Sequence, residues 1–299
     1  MAPPIPTDPT AGRRGHAFSE TLIGPLLMIV AVLCFTCLDS ILKHLARSHD
    51  PWFLSWARSL VQAALLLALA PLLGWRNVLV TRAPRVQLGR GLALVATSVC
   101  LIFALRHMQL TQAYAIGFSA PLIAAMLAAV LLDERPRPVQ WALIAAGFLG
   151  VLVALRPDAP DASLVLLLPL GFAAANAVFQ VLTRIGAQRD EHAYAQLFFA
   201  ALIATAVLAL GLPWSWSRMA PGEWGLLIGG GLFGTLAHFL LIAAFSRAPT
   251  ALVSPMIYFQ VMWAGLLGFL VFGELPAWST VLGAAIVAAA GIALIRVRG

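Results

Sequence analysis

The run "CFTCLDSILKHL", Cys34 to Leu45, places a carboxylate and an ammonium four residues apart in otherwise apolar surroundings. At positions i and i+4 of a helix, Asp39 and Lys43 share one face and can form an ion pair that lowers the cost of both charges. Charged groups at such depth are expensive, so a carboxylate kept there is a candidate proton carrier or substrate contact. A second reading is an interfacial pair, in which Lys43 snorkels to the headgroups. Arg58 lies at similar depth in the next apolar run, so a cluster of Asp39 between two cations is expected.

Other polar side chains interrupt the apolar runs at helical spacing. Arg58 and Gln62 share one face, Asn176 and Gln180 another, and Ser254 and Tyr258 a third. Tyr114, Ser119, His238, Gln260, Trp56 and Trp263 complete the set. These are binding or coupling candidates, with plainer alternatives: His238 as a neutral ring bonded to a neighbouring helix, Trp56 as an interfacial anchor. Pro121 and Pro255 break helical hydrogen bonding, which leaves carbonyls free to bind or flex. Glu134 and Glu274 are either proton sites or carboxylates favoured by the dipole of a following helix.

The motifs of soluble chemistry are missing. The chain has no H-E-x-x-H, no G-x-S-x-G and no G-x-x-x-x-G-K-[ST], so metalloprotease, serine hydrolase and nucleotide-driven classes are disfavoured. Cys34, Cys37 and Cys100 all fall in apolar runs, where small polarizable packing residues are expected rather than a disulfide or metal site. No catalytic residue, metal or cofactor is expected.

The elements that must carry these residues are membrane helices. Of 299 residues, 61% are hydrophobic and 10% charged, too apolar for a soluble surface. Polar breaks separate ten apolar stretches, roughly 22–45, 53–74, 87–106, 112–132, 138–155, 164–186, 193–212, 223–246, 250–272 and 277–296. Each is near the roughly 20 residues that cross a bilayer as a helix. An N-terminus in the cytoplasm puts thirteen of the nineteen basic residues on the inner side, so both termini are expected there. The net charge of +7 is spread over short loops and reflects membrane orientation, not a nucleic-acid surface. Residues 1–20, Pro-rich and polar, read as a disordered cytoplasmic tail. Gly230 and Gly234 form a G-x-x-x-G suited to close helix packing and compatible with a homodimer.

An ungapped shift of 140 residues lays the segment from Ala104 on the segment from Ala244, with Glu134 on Glu274 and Pro136 on Pro276. This internal repeat predicts two five-helix halves, 21–156 and 157–299. An odd number of helices per half makes the repeat inverted, as in many secondary transporters. The equivalent fourth and ninth stretches are then expected to face one another across the pseudo-axis.

The segment "APLIAAMLAAVLLDERPRPVQWALIAAGFLGVLVALRP" and its second copy "YFQVMWAGLLGFLVFGELPAWSTVLGAAIVAAAGIALI" resemble the EamA domain of the drug/metabolite transporter superfamily. Val261 stands where the first copy has Pro121, a departure in the second copy. The resemblance spans nearly the whole chain from Leu22. It implies a secondary active transporter of the inner membrane, moving a small polar or zwitterionic metabolite by gradient-driven alternating access. Export of amino acids or amino-acid-derived compounds, including opine-type metallophores, is the leading expectation. Uptake of riboflavin or S-adenosylmethionine is the alternative, and an intramembrane enzyme or scaffold the reading from another class. Some family members similar to this chain carry an acid and a lysine here in the first helix and an arginine in the second.

Overall fold

The computed structural model describes residues 10–131, 137–155, 165, 167–248 and 250–298. Among them every regular element is helical: α1 (Thr10–Leu45), α2 (Pro51–Leu73), α3 (Trp75–Leu79), α4 (Pro84–His107), α5 (Leu110–Gly117), α6 (Ala120–Leu131), α7 (Pro138–Leu155), α8 (Leu167–Ala187), α9 (Ala193–Ala209), α10 (Leu212–Ser215), α11 (Pro221–Arg247), α12 (Thr250–Val253), a 3₁₀ turn (Ser254–Tyr258), α13 (Phe259–Phe272) and α14 (Trp278–Arg298). Seven helical segments are long and apolar enough to cross a membrane, and three shorter apolar helices accompany them: Pro138–Ala154, Ala193–Ala209 and Trp278–Ala293. α1 begins at Thr10, inside the segment expected as a tail. Glu134, Pro136 and Asp158 to Asp161 lie outside the described residues, as does the side chain of Ser254.

Local chemistry starts these helices where the polar breaks fall. Asp50 caps α2, its Oδ1 accepting from the amides of Trp52 at 2.8 Å and Phe53 at 3.3 Å, with Pro51 supplying a preset first turn. α4 is capped from far along the chain. Glu191 accepts from the amides of Arg82 and Ala83, which puts a carboxylate at a positive helix end.

Both proline-bearing stretches are broken, not bent. α5 ends at Gly117 and α6 starts at Ala120, just before Pro121. In the equivalent place, the chain passes through α12 and the 3₁₀ turn containing Pro255 before α13. Such breaks are tolerated at membrane depth only where protein surrounds them. Ala115, Ile116 and Phe118 accordingly sit in a core with Val151, Ala284 and Val287.

The principal helix pairings are α1 with α11, α7 with α14, α4 with α8, and α2 with α9. Gly230 and Gly234 of α11 face Leu38 and Ile41 of α1, so the G-x-x-x-G is spent on packing within the chain. α7 and α14 cross where Gly150 meets Gly283. A Cβ on Gly150 would stand 2.9 Å from the carbonyl oxygen of Gly283, and one on Gly283 would stand 2.5 Å from that of Gly150.

Polar contacts gather at two opposite ends. One joins the α1–α2 turn to the start of α11, where His49 Nε2 lies 2.9 Å from Glu223 Oε1, and the start of α2 to the end of α9, where Trp52 Nε1 donates to the Leu208 carbonyl at 2.8 Å. The other gathers Arg90, fully buried, over Phe179 at 4.7 Å. There the Arg90 guanidinium donates to Thr183 Oγ1 at 3.0 Å and Gln87 Oε1 at 2.9 Å, while Gln87 Nε2 donates to Glu191 at 3.2 Å.

Candidate functional site

Asp39 sits in the second half of α1, 5% exposed, with its face turned inward to α5 and α13. The Tyr114 hydroxyl donates a short hydrogen bond to Asp39 Oδ2. Gln260 of α13 and Thr36 of α1 flank the same hydroxyl. Thr36 keeps its own hydroxyl on the Val32 carbonyl at 2.8 Å, and Ser40 does the same to Thr36 at 2.7 Å. The Tyr114 ring, within α5, stacks on Phe118 just past the helix end, with centroids 6.3 Å apart.

Arg58 enters from α2, and its charge acts on the Asp39 carboxylate without bonding to it. Its Nη1 donates to Ser98 Oγ of α4 at 3.0 Å. Its Nε is buried without a hydrogen-bond partner, as is the Thr235 hydroxyl of α11. Among the described residues, Arg58 has no carboxylate at ion-pair distance. A negative and a positive group therefore stand near each other, each held by a neutral partner.

The expected Asp39–Lys43 pair is not formed. Lys43 instead binds Glu274 Oε1 at 2.6 Å and donates to the Met108 carbonyl at 2.5 Å, and it is buried, not reaching for headgroups. The i,i+4 spacing does place both side chains on one face. That face meets α5 and α13 at Asp39 but the α13–α14 turn at Lys43, so different partners capture them.

Several other expected residues surround the centre. His238 on α11 lies edge-on to Phe35 at 4.9 Å, with Nδ1 2.7 Å from the Gly234 carbonyl, and the positive charges of Arg58 and Arg90 act on its ring. Tyr258 packs edge-on to Phe118 at 5.1 Å, with its hydroxyl against Gly291 of α14. Trp263 Nε1 donates to the Ile29 carbonyl at 3.2 Å, tying α13 to α1. Ser119 is buried and spends its hydroxyl on the Ile116 carbonyl at 2.8 Å at the α5–α6 break. Gln62, half-buried, lies one turn along α2 from Arg58. Asn176 is half-buried and Gln180 exposed on α8, and neither joins the Asp39 network. Cys34, Cys37 and Cys100 are free thiols.

Sequence reading missed Ser98 and Thr36 as neighbours of the charges. Thr36 carried a usable signal, lying one turn before Asp39 on its face; Ser98 carried none, because only packing between helices selects it.

A bundle of apolar helices enclosing an acid, an arginine and a tyrosine, with broken helices beside them, is the make-up of a polytopic membrane protein with a charged interior. The chain belongs to the EamA-like transporter family, which matches residues 22–156 and 163–297. It is 26% identical over 91% of its length to the S-adenosylmethionine uptake transporter of Rickettsia bellii, covering 93% of that protein. It is 28% identical to the pseudopaline exporter CntI of Pseudomonas aeruginosa, covering 92% of this chain and 96% of that one. A riboflavin transporter of Vibrio cholerae is 29% identical, over 89% of this chain and 90% of its own. A crystal structure at 19% identity superposes with a TM-score of 0.61 over 94% of this chain and 98% of the other, a likeness of fold.

Proposed function

We propose that the chain is a gradient-driven secondary transporter of the inner membrane that carries a small zwitterionic metabolite. The observation that carries this reading is the separation of Asp39 from Arg58. Tyr114 holds the acid and Ser98 the base, while Arg58 Nε is left without an acceptor. An unpaired arginine in a bilayer costs roughly 2.5–3.5 kcal/mol on insertion scales. A ligand bearing a cationic and an anionic group offsets that cost by bridging the two, its anionic group on Arg58 and its cationic group on Asp39. Amino acids and amino-acid-derived compounds, opine-type metallophores among them, have this charge pattern, and export is the preferred direction.

Transport proceeds by alternating access of two inverted halves, 21–156 and 157–299, with ten helices crossing and both termini cytoplasmic. The helix pairings support this: exchanging the halves turns the α1–α11 pairing into the α8–α4 pairing and leaves α2–α9 and α7–α14 unchanged. Asp39 is the proton carrier in this scheme. His238 is the weaker candidate, because its Nδ1 is committed to the Gly234 carbonyl and its face to Phe35.

The test is counterflow in proteoliposomes of purified full-length chain, with a labelled panel of amino acids, opine-type chelators, S-adenosylmethionine and riboflavin. Exchange of zwitterions that is lost in Arg58→Gln supports the reading. Exchange of riboflavin alone, insensitive to Arg58→Gln, overturns it. The second reading, uptake of S-adenosylmethionine or riboflavin, draws on the named relatives, and imposed proton gradients of each sign separate uptake from export.

A further inference from the structure

One turn beyond Asp39, α1 presents Lys43 to a different set of partners. Its Nζ lies 2.6 Å from Glu274 Oε1 and 2.5 Å from the Met108 carbonyl. The other carboxylate oxygen of Glu274 accepts from the Leu110 amide at 3.3 Å, and Gln109 Nε2 donates to the Leu275 carbonyl at 3.2 Å. Phe272 lies beneath both Lys43, at 5.3 Å, and Arg47, at 5.0 Å. Gly273 makes the turn that aims Glu274 inward, at a φ of +68° in the left-handed region that favours glycine. Three segments distant in sequence, the end of α1, the α4–α5 turn and the α13–α14 turn, are thus tied at one ion pair.

We propose that the Lys43–Glu274 pair is the latch that closes one end of the transport route, making on closure and breaking on opening. This rests on the alternating-access reading and assigns two residues to its conformational step. The pair joins the first half, through α1 and the α4–α5 turn, to the second, through the α13–α14 turn. It also caps the Asp39 side of the site, since Asp39 and Lys43 share a helix face. The side chains are 6% and 18% exposed, so the closed state has taken both charges largely out of water. Breaking such a pair in a dry site is costly, but letting water in as it parts restores the hydration of both ions. The ion pair therefore favours two states, dry and joined or wet and parted, over anything between. An apolar pair in the same place would gain nothing from wetting and would hold the end shut.

The experiment reads access at both ends in the full chain, reconstituted in a Cys-free background, with a membrane-impermeant thiol reagent. Thr111→Cys, one turn inside the latch on the buried face of α5, reports the latch end. Ile185→Cys, near the end of α8, reports the opposite one. Lys43→Met and Glu274→Gln should each raise labelling of the first probe about fivefold or more and lower labelling of the second, a shift in the range of ordinary conformational coupling. The charge swap Lys43→Glu with Glu274→Lys should return both toward the parent, which separates a broken latch from a damaged fold. Unchanged labelling at the latch end in both single variants, or no recovery in the swap, overturns the latch. Increased labelling at the latch end without the reciprocal fall at Ile185→Cys keeps the latch and overturns alternating access instead.

Discussion

The Tyr114 hydroxyl donates to Asp39 Oδ2 across the junction of α5 and α1, so the acid in the first membrane helix is oriented by a residue of a broken helix. Movement of the α5–α6 break therefore reaches the carboxylate directly. Tyr114→Phe removes the donor and leaves the ring. A hydrogen bond to a charged group contributes about 1.5–3 kcal/mol to stability, so melting should shift down measurably, and substrate binding should weaken because the carboxylate is no longer held in place. Isothermal titration or scintillation proximity binding on purified protein checks this.

Arg58 gives the opposite balance of stability and function. Arg58→Met removes a charge that, among the described residues, has no carboxylate at ion-pair distance, so the melting temperature should hold or rise, while exchange of zwitterionic substrates falls to background. A thermal shift assay beside counterflow measures both. Loss of folded protein in Arg58→Met would mean that the arginine is structural.

At the other side of the site, a Cβ on Gly291 would overlap the Tyr258 hydroxyl. Gly291→Ala should impair transport by pushing Tyr258 off Phe118, and pairing it with Tyr258→Phe should recover much of the loss by removing the clashing oxygen. Flux in the single and double variants decides it.

Membrane orientation is tested with exposed loop residues. In a Cys-free background, Arg218→Cys should react with an impermeant thiol reagent from outside and Arg189→Cys only from inside, as a cytoplasmic N-terminus requires. The reverse pattern inverts which end the Lys43–Glu274 pair closes.

Much of the architecture was readable because apolar length and polar punctuation act locally. The stretch drawn at 53–74 became α2, Pro51–Leu73, and the one at 87–106 became α4, Pro84–His107. Pro121 and Pro255 marked disturbed backbone, although proline alone does not tell a bend from a full break, which depends on what packs around the freed carbonyls. The site was half legible. Helical spacing put Asp39 and Lys43 on one face and suggested that they bind each other, yet Tyr114 and Glu274 outcompete that contact. Which cation an acid meets is decided by helix crossing, and spacing along one helix holds no information about it. The same limit applies to Gly230 and Gly234, whose motif announces a close neighbour without saying that the neighbour is α1 of the same chain.

Where Gly150 and Gly283 cross, α7 and α14 touch through main-chain atoms, with a carbonyl standing where a methyl would go. Such a contact depends on the absence of side chains, so it is indifferent to what the rest of the protein carries. Under the proposed alternating access it would serve as the bearing on which the halves turn, and substitutions around Asp39 and Arg58 could then change the cargo while leaving that bearing as it is.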